Sequence, residues 1–225
     1  MKRIMMIIKR ICICLIVLLL CSFNSYDTHA ENIPTSPYNP NYKYINGVGN
    51  ITAWLDYSSG VGVWEFLITP SVNNWMYTGW ANPIYITFVS SNYGSNLDFH
   101  SHNNSWFINN GYGSSLAITL HYTINDVNLN TNYDESPSGS WYYAEIHIND
   151  DYFSEDFFTN TEAGGTIRHE MGHAFGLQHN NENPYSIMHN YVYQDPFTGQ
   201  SVYRAVQTVQ YTDNLAINNL YSYGN

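Results

Sequence analysis

The segment Arg168-His169-Glu170-Met171-Gly172-His173-Ala174-Phe175-Gly176-Leu177-Gln178-His179 gathers three imidazoles and one carboxylate. His169 and His173 are four residues apart, and on an α-helix that spacing stacks two side chains on one face, roughly 6 Å apart. Imidazoles so placed can converge on a single zinc ion. Glu170 stands about 100° round the helix from His169. It leans beside the metal without coordinating it, where a carboxylate accepts the proton released as a water attacks. Gly176 has no Cβ and can leave the helix with positive φ. His179, three residues later, then swings back to complete a three-nitrogen set and leaves a fourth position for water. The opposite helix side carries Ile167, Met171, Ala174 and Gln178, three of them apolar. Such a helix makes sense only if something occupies its histidine side.

These residues at these offsets resemble the metzincin signature, and Ser186-Ile187-Met188 resembles the Met-turn of that clan. Within it the chain is most similar to the matrixin peptidases. Ala144-Glu145-Ile146-His147-Ile148-Asn149 resembles their last sheet strand before the active helix, and Tyr211 to Tyr221 their closing helix. The resemblance covers residues 144–188 most closely and extends to 221. It implies a metzincin-like α+β catalytic domain, with a twisted mixed sheet, an active-site helix and a C-terminal helix around a cleft for extended peptide. It also implies that His169, His173 and His179 hold a catalytic zinc, that Glu170 is general base and acid, and that Met188 forms an apolar floor. Tyr191 and Tyr193 would wall the pocket beyond the scissile bond; His189, after the Met-turn, is an exposed loop histidine by default, with a place beside the cleft as the alternative. Two departures stand out. Asn190 occupies the place where several metzincin groups carry a tyrosine, and no propeptide cysteine is available to impose latency.

The first thirty residues read as an export signal. Lys2, Arg3, Lys9 and Arg10 precede an apolar run, Ile11 to Leu20, that is short for a bilayer span, and Thr28-His29-Ala30 suits cleavage. The expected organisation is a signal peptide over 1–30, an extended arm over 31–49 marked by Pro34, Pro37 and Pro40, and a catalytic domain over 50–225. Removing residues 1–30 takes away Asp27 and four of the seven basic residues, leaving 17 acids against Lys43, Arg168 and Arg204, a balance of −14. That surface disfavours nucleic acid and suits a secreted monomer with no stable membrane association. Cys12, Cys14 and Cys21 all leave with the signal, so stability must come from core burial, to which a bound metal could add.

Elements must position the motif. Ile51 to Tyr57 favours strand, ending at Ser58-Ser59-Gly60. Thr69-Pro70 predicts a helix start, with Val72, Trp75 and Met76 on one face. Ile84, Ile86 and Phe88 alternate with Tyr85, Thr87 and Val89, as in a strand buried on both faces. Further strands are expected at Leu97 and Phe99, at Leu116, Ile118 and Leu120, and at Ala144, Ile146 and Ile148, with a long loop over 125–140. Helices are expected over about 161–175 and 212–221, the latter turning Ile217, Leu220 and Tyr221 inward.

Two further metal sets come into view. His100, His102, His121 and His147, with Asp98, offer ligands for a second, structural zinc, against the alternative of ordinary hydrogen-bonded histidines. Asp150, Asp151, Glu155 and Asp156 offer oxygens for calcium, against a solvated acidic loop. The function expected from all this is a secreted zinc-dependent metalloendopeptidase acting on protein or peptide substrates. The alternative is a zinc-loaded extracellular binding protein without turnover, which the presence of Glu170 disfavours.

Overall fold

The computed structural model describes residues 35–113, 115–130, 137–154, 159–190, 193–194, 201–202 and 206–224. The expected signal segment lies outside the described residues, as do Glu155, Asp156 and Tyr191.

Five strands form one sheet: β1 (Ile51–Leu55), β2 (Ile86–Val89), β3 (Leu97–His102), β4 (Ala117–Tyr122) and β5 (Tyr143–Asn149), in the order β2-β1-β3-β5-β4. Every neighbouring pair is parallel except β4 with β5. Side chains alternate across a strand, so Ile51, Ala53 and Leu55, Leu97 and Phe99, and Ala144, Ile146 and Ile148 all turn to one buried face. The helices are α1 (Glu65–Met76), α2 (Asn104–Asn109), α3 (Asp150–Phe153), α4 (Asn160–Ala174) and α5 (Tyr211–Leu220). Helix α4 packs against α1, β4 and β5. A two-stranded antiparallel pair, β6 (Tyr193–Gln194) with β7 (Ser201–Val202), follows α4. The architecture is therefore mixed, a mostly parallel five-stranded sheet with helices, compatible with the α+β expectation. Among the described residues no helix is long and apolar enough to cross a membrane.

Two local expectations are corrected. Helix α1 begins at Glu65, so Pro70 lies inside it rather than at its start. The turn Val61–Trp64 runs straight into the helix, and Leu67, Ile68, Val72 and Trp75 are all buried along it. Their burial, about 1.5–3 kcal/mol for each side chain, outweighs the roughly 3 kcal/mol that an interior proline costs. Strand β2 is an edge strand, not a doubly buried one. Ile84 and Ile86 are buried, whereas Tyr85, Thr87 and Phe88 are exposed, and only β1 pairs with the strand.

Residues 35–49 contain no helix and only single bridges, yet they pack closely. Tyr44 and Val48 belong to the main core, and Ser36 is fully buried.

Candidate metal centre

The helix that carries the motif is started by a capping box. Thr159 Oγ1 accepts from the Glu162 amide, and the Glu162 carboxylate accepts from the Thr159 amide. Gly164, Gly165 and Gly172 lie within it, each costing about 1 kcal/mol against alanine in helix propensity. Close approach explains two of them. A Cβ on Gly165 would collide with the Gln207 side chain, and one on Gly172 with the Met188 sulfur.

The helix ends as the motif requires. The Leu177 amide donates to the Gly172 carbonyl at 2.9 Å and the Gly176 amide to the His173 carbonyl at 2.8 Å, a Schellman closure. Gly176 has φ 101°, and a Cβ there would stand 2.8 Å from Leu220 Cδ2 and 3.1 Å from Trp141 Cη2. Both backbone conformation and space therefore demand glycine.

The chain then brings His179 to His169 and His173. His173 Nε2 lies 3.0 Å from His169 Nε2 and 3.2 Å from His179 Nε2. Nδ1 of His169 donates to the Ile187 carbonyl and Nδ1 of His173 to the Leu177 carbonyl, each at 2.8 Å. A carbonyl can only accept, so in the neutral rings both Nε2 atoms present lone pairs. Lone pairs at 3.0 Å repel one another, and a cation between them turns repulsion into attraction. Three nitrogens each about 2.0–2.1 Å from a tetrahedral zinc would be about 3.3–3.4 Å apart, close to the observed separations. The three residues thus form a possible metal-binding group, and their donor set suits zinc. His169 and His173 are buried while His179 is half-buried, so the centre opens on the His179 side.

Glu170 is 4 % exposed. The Thr119 hydroxyl lies 2.9 Å from its carbonyl and 2.8 Å from its Oε2. Neighbouring side chains hold other carbonyls of the same helix. Trp75 Nε1 donates to Arg168 O at 2.9 Å, His121 Nε2 lies 3.0 Å from His173 O, and Trp141 Nε1 donates to Ala174 O at 3.2 Å.

Met188 is fully buried. Its turn is fastened by Asp213, whose carboxylate accepts the Ser36 and Ser186 hydroxyls at 2.5 Å each, the Ile187 amide at 3.0 Å and the Gln210 amide at 2.9 Å. Burial pushes the Asp213 carboxyl above its ordinary range, against these hydrogen bonds. The N-terminal residues brace the third histidine too, since Pro37 O accepts from the Gln178 amide at 2.7 Å and Tyr38 bridges to Leu177.

Other expected groups are distributed differently. The four-histidine set is split by strand register. His100 is opposite His147, so both point to the outer face, whereas His121 is opposite Ala144 and points toward α4. His102 lies flat on Trp106, with ring centroids 3.9 Å apart. Asp150 and Asp151 serve as local acceptors, from Trp64 Nε1 and from the Asn104 amide. His189 is half-buried and Asn190 exposed; the Tyr193 side chain is not among the described ones.

Thr119, His121, Ser36 and Asp213 were not singled out for the catalytic centre by sequence. A signal existed for Asp213 in the Thr-Asp pair at the last helix, and for Thr119 in its place on a strand beside the motif. A scan of the chain against protein-family models finds no match, and a search of curated proteins finds none either.

Proposed function

We propose that this protein is a secreted zinc-dependent metalloendopeptidase of metzincin type, most similar to the matrixins. The observation that carries the reading is the meeting of three imidazole nitrogens, 3.0 and 3.2 Å apart, on a glycine-terminated helix beside a buried glutamate. Bound there, zinc would polarise the scissile carbonyl and acidify a water. Glu170 takes the water's proton and passes it to the leaving amine. Thr119 holds the Glu170 carboxylate in place through its hydroxyl. Ile187 and Leu177 hold the histidine rings through their carbonyls, so no reorientation is needed at the moment of reaction.

Strand β4, the sheet edge next to α4, supports an extended peptide substrate. Part of that edge is already taken: Leu129 donates to His121 O at 2.8 Å and Asn130 Oδ1 accepts from the His121 amide at 2.7 Å. Asn130 Nδ2 also donates to Thr119 O at 3.3 Å, so substrate pairing falls to Ala117 and the Thr119 amide.

The test is digestion of casein or gelatin by the purified protein, with chelator and with Glu170→Gln as controls. The reading expects cleavage that both controls abolish. A stably folded, zinc-loaded protein that cuts nothing in a complex peptide mixture would instead identify a binding protein on this scaffold.

A further inference from the structure

We propose that the free edge of strand β2 pairs antiparallel with the same edge of a second copy of this chain, about a two-fold axis at Phe88, joining the two five-stranded sheets into one. Such a dimer is independent of the peptidase reading, and it departs from the monomer expected from the acidic sequence.

The backbone of β2 leaves groups to pair. The strand ends the sheet order β2-β1-β3-β5-β4, and among the described residues β1 is its ladder partner. Tyr85 turns both backbone groups to the β1 side. Its carbonyl accepts the Ile51 amide at 2.9 Å and its amide donates to Val48 O at 3.0 Å. Backbone groups alternate sides along a strand, so Thr87 and Val89 also face β1, while Ile86 and Phe88 face outward. The Ile86 amide is met by Met76 Sδ at 3.2 Å. Phe88 therefore holds both an amide and a carbonyl toward the open side. A residue with donor and acceptor side by side is complementary to its own copy, because two such residues in an antiparallel pair exchange both hydrogen bonds. A two-fold axis through that pair sets the two Phe88 side chains together on one face. On the other face it sets Thr87 opposite Val89 of the second copy. Aromatic and β-branched pairs of this kind stabilise sheets.

Open edges are ordinarily guarded by a charge, a proline, a bulge or a covering loop. The opposite edge, β4, is guarded in the last way, since Leu129 and Asn130 occupy backbone groups of His121 and Thr119. Strand β2 has no such guard among the described residues. Tyr85-Ile86-Thr87-Phe88-Val89 is uncharged, free of proline and made of aromatic and β-branched residues. Tyr85 and Phe88 stay 53 % and 42 % exposed. Charge selects the occupant. The chain has a net charge of −11, yet no Asp, Glu, Lys, Arg or His lies between Glu65 and Asp98. Two copies repel wherever their carboxylates come within a Debye length, about 8 Å at physiological salt, and the neutral stretch that carries β2 lets them approach. A cationic partner would find no carboxylate there to bind. The two strands that end the sheet are β2 and β4, so a dimer joined at β2 leaves the β4 edge free.

Sedimentation velocity of the purified protein over a concentration series tests this. The expected result is a mass rising with concentration from that of one chain to that of two. Phe88→Lys, which sets like charges face to face on the axis, should weaken association at least tenfold. A wild type that stays monomeric up to about 100 μM, a hundredfold above a Kd of about 1 μM, overturns the proposal. A folded Phe88→Lys protein that dimerises as the wild type does also overturns it, since the contact then lies elsewhere. Should Phe88→Lys fail to fold, Phe88→Cys decides. Residues 31–225 contain no cysteine, and Cα atoms about 5.5 Å apart in the pair are within disulfide range. Mild oxidation should then join two chains through residue 88, read by non-reducing gel electrophoresis. Thr87→Cys, opposite Val89 rather than its own copy, should join far fewer. Equal cross-linking of the two variants, or none of either, refutes the proposal.

Discussion

The Met188 thioether occupies the space where Gly172 would otherwise carry a side chain. A Cβ built on Gly172 collides with Met188 Sδ and comes within 3.1 Å of its Cε and 3.2 Å of Trp75 Cζ2. The turn after the motif is thus keyed into the helix at a position between two of the histidines, and the same turn supplies the Ile187 carbonyl that orients His169. Gly172→Ala gains up to about 1 kcal/mol of helix propensity but overpacks a fully buried contact, which costs about 1–3 kcal/mol. A net loss of about 1 kcal/mol is expected by denaturant unfolding, accompanied by weaker zinc binding. A variant that is more stable and binds zinc normally would mean the turn is not seated on the helix in this way.

Thr119 makes a separable prediction. Its single hydroxyl proton is within reach of both the carbonyl and the carboxylate of Glu170, and given to the charged oxygen such a hydrogen bond is worth about 1.5–3 kcal/mol. Thr119→Val should lower kcat about tenfold or more while KM and zinc content stay near wild type, and Thr119→Ser should restore most of the rate. A fall in zinc content instead would assign the residue a purely structural part.

Asp213 should matter for stability more than for chemistry. It is fully buried and accepts from Ser36, Ser186, Ile187 and Gln210. An asparagine would turn donors toward donors, so Asp213→Asn is expected to cost about 2–3 kcal/mol at neutral pH. Ser36→Ala, which removes one of the four donors, should cost about 1 kcal/mol. Unfolding curves for the two variants check the ranking.

The metal-ligand group was legible because it is local. His169 and His173 are one helical turn apart, and Gly176 announces the reversal that brings His179 back. What surrounds them was not legible, because it comes from far along the chain. Thr119 meets Glu170 across 51 positions and Ser36 meets Asp213 across 177, and no periodicity encodes such pairings. His121 shows how strand parity decides. It reads like His100, His102 and His147, yet the register that sets it opposite Ala144 sends it to the other face of the sheet. Proline misled at α1 because local propensity favoured Thr69-Pro70 as a start, while burial of Leu67 and Ile68 draws the helix further upstream.

Removing metal should loosen the whole fold. A ligand that binds only the native state at a thousandfold excess over its Kd contributes about 4 kcal/mol, and for a domain of this size 1 kcal/mol moves Tm by about 2–4 °C. Chelation should therefore lower Tm by about 10 °C, reversibly on adding zinc. Glu170→Gln should show the same drop, since that side chain holds no metal, and His173→Ala a smaller one. An unchanged Tm in the wild type would argue that no metal supports the native state.

In the proposed enzyme His169, His173 and His179 share one zinc ion. Anomalous diffraction at the zinc edge from crystals of the zinc-loaded protein tests it most directly. A peak is expected about 2.0–2.1 Å from Nε2 of each of the three rings, with one further position facing solvent. Absence of density between the rings, with the three side chains pointing apart, would contradict it.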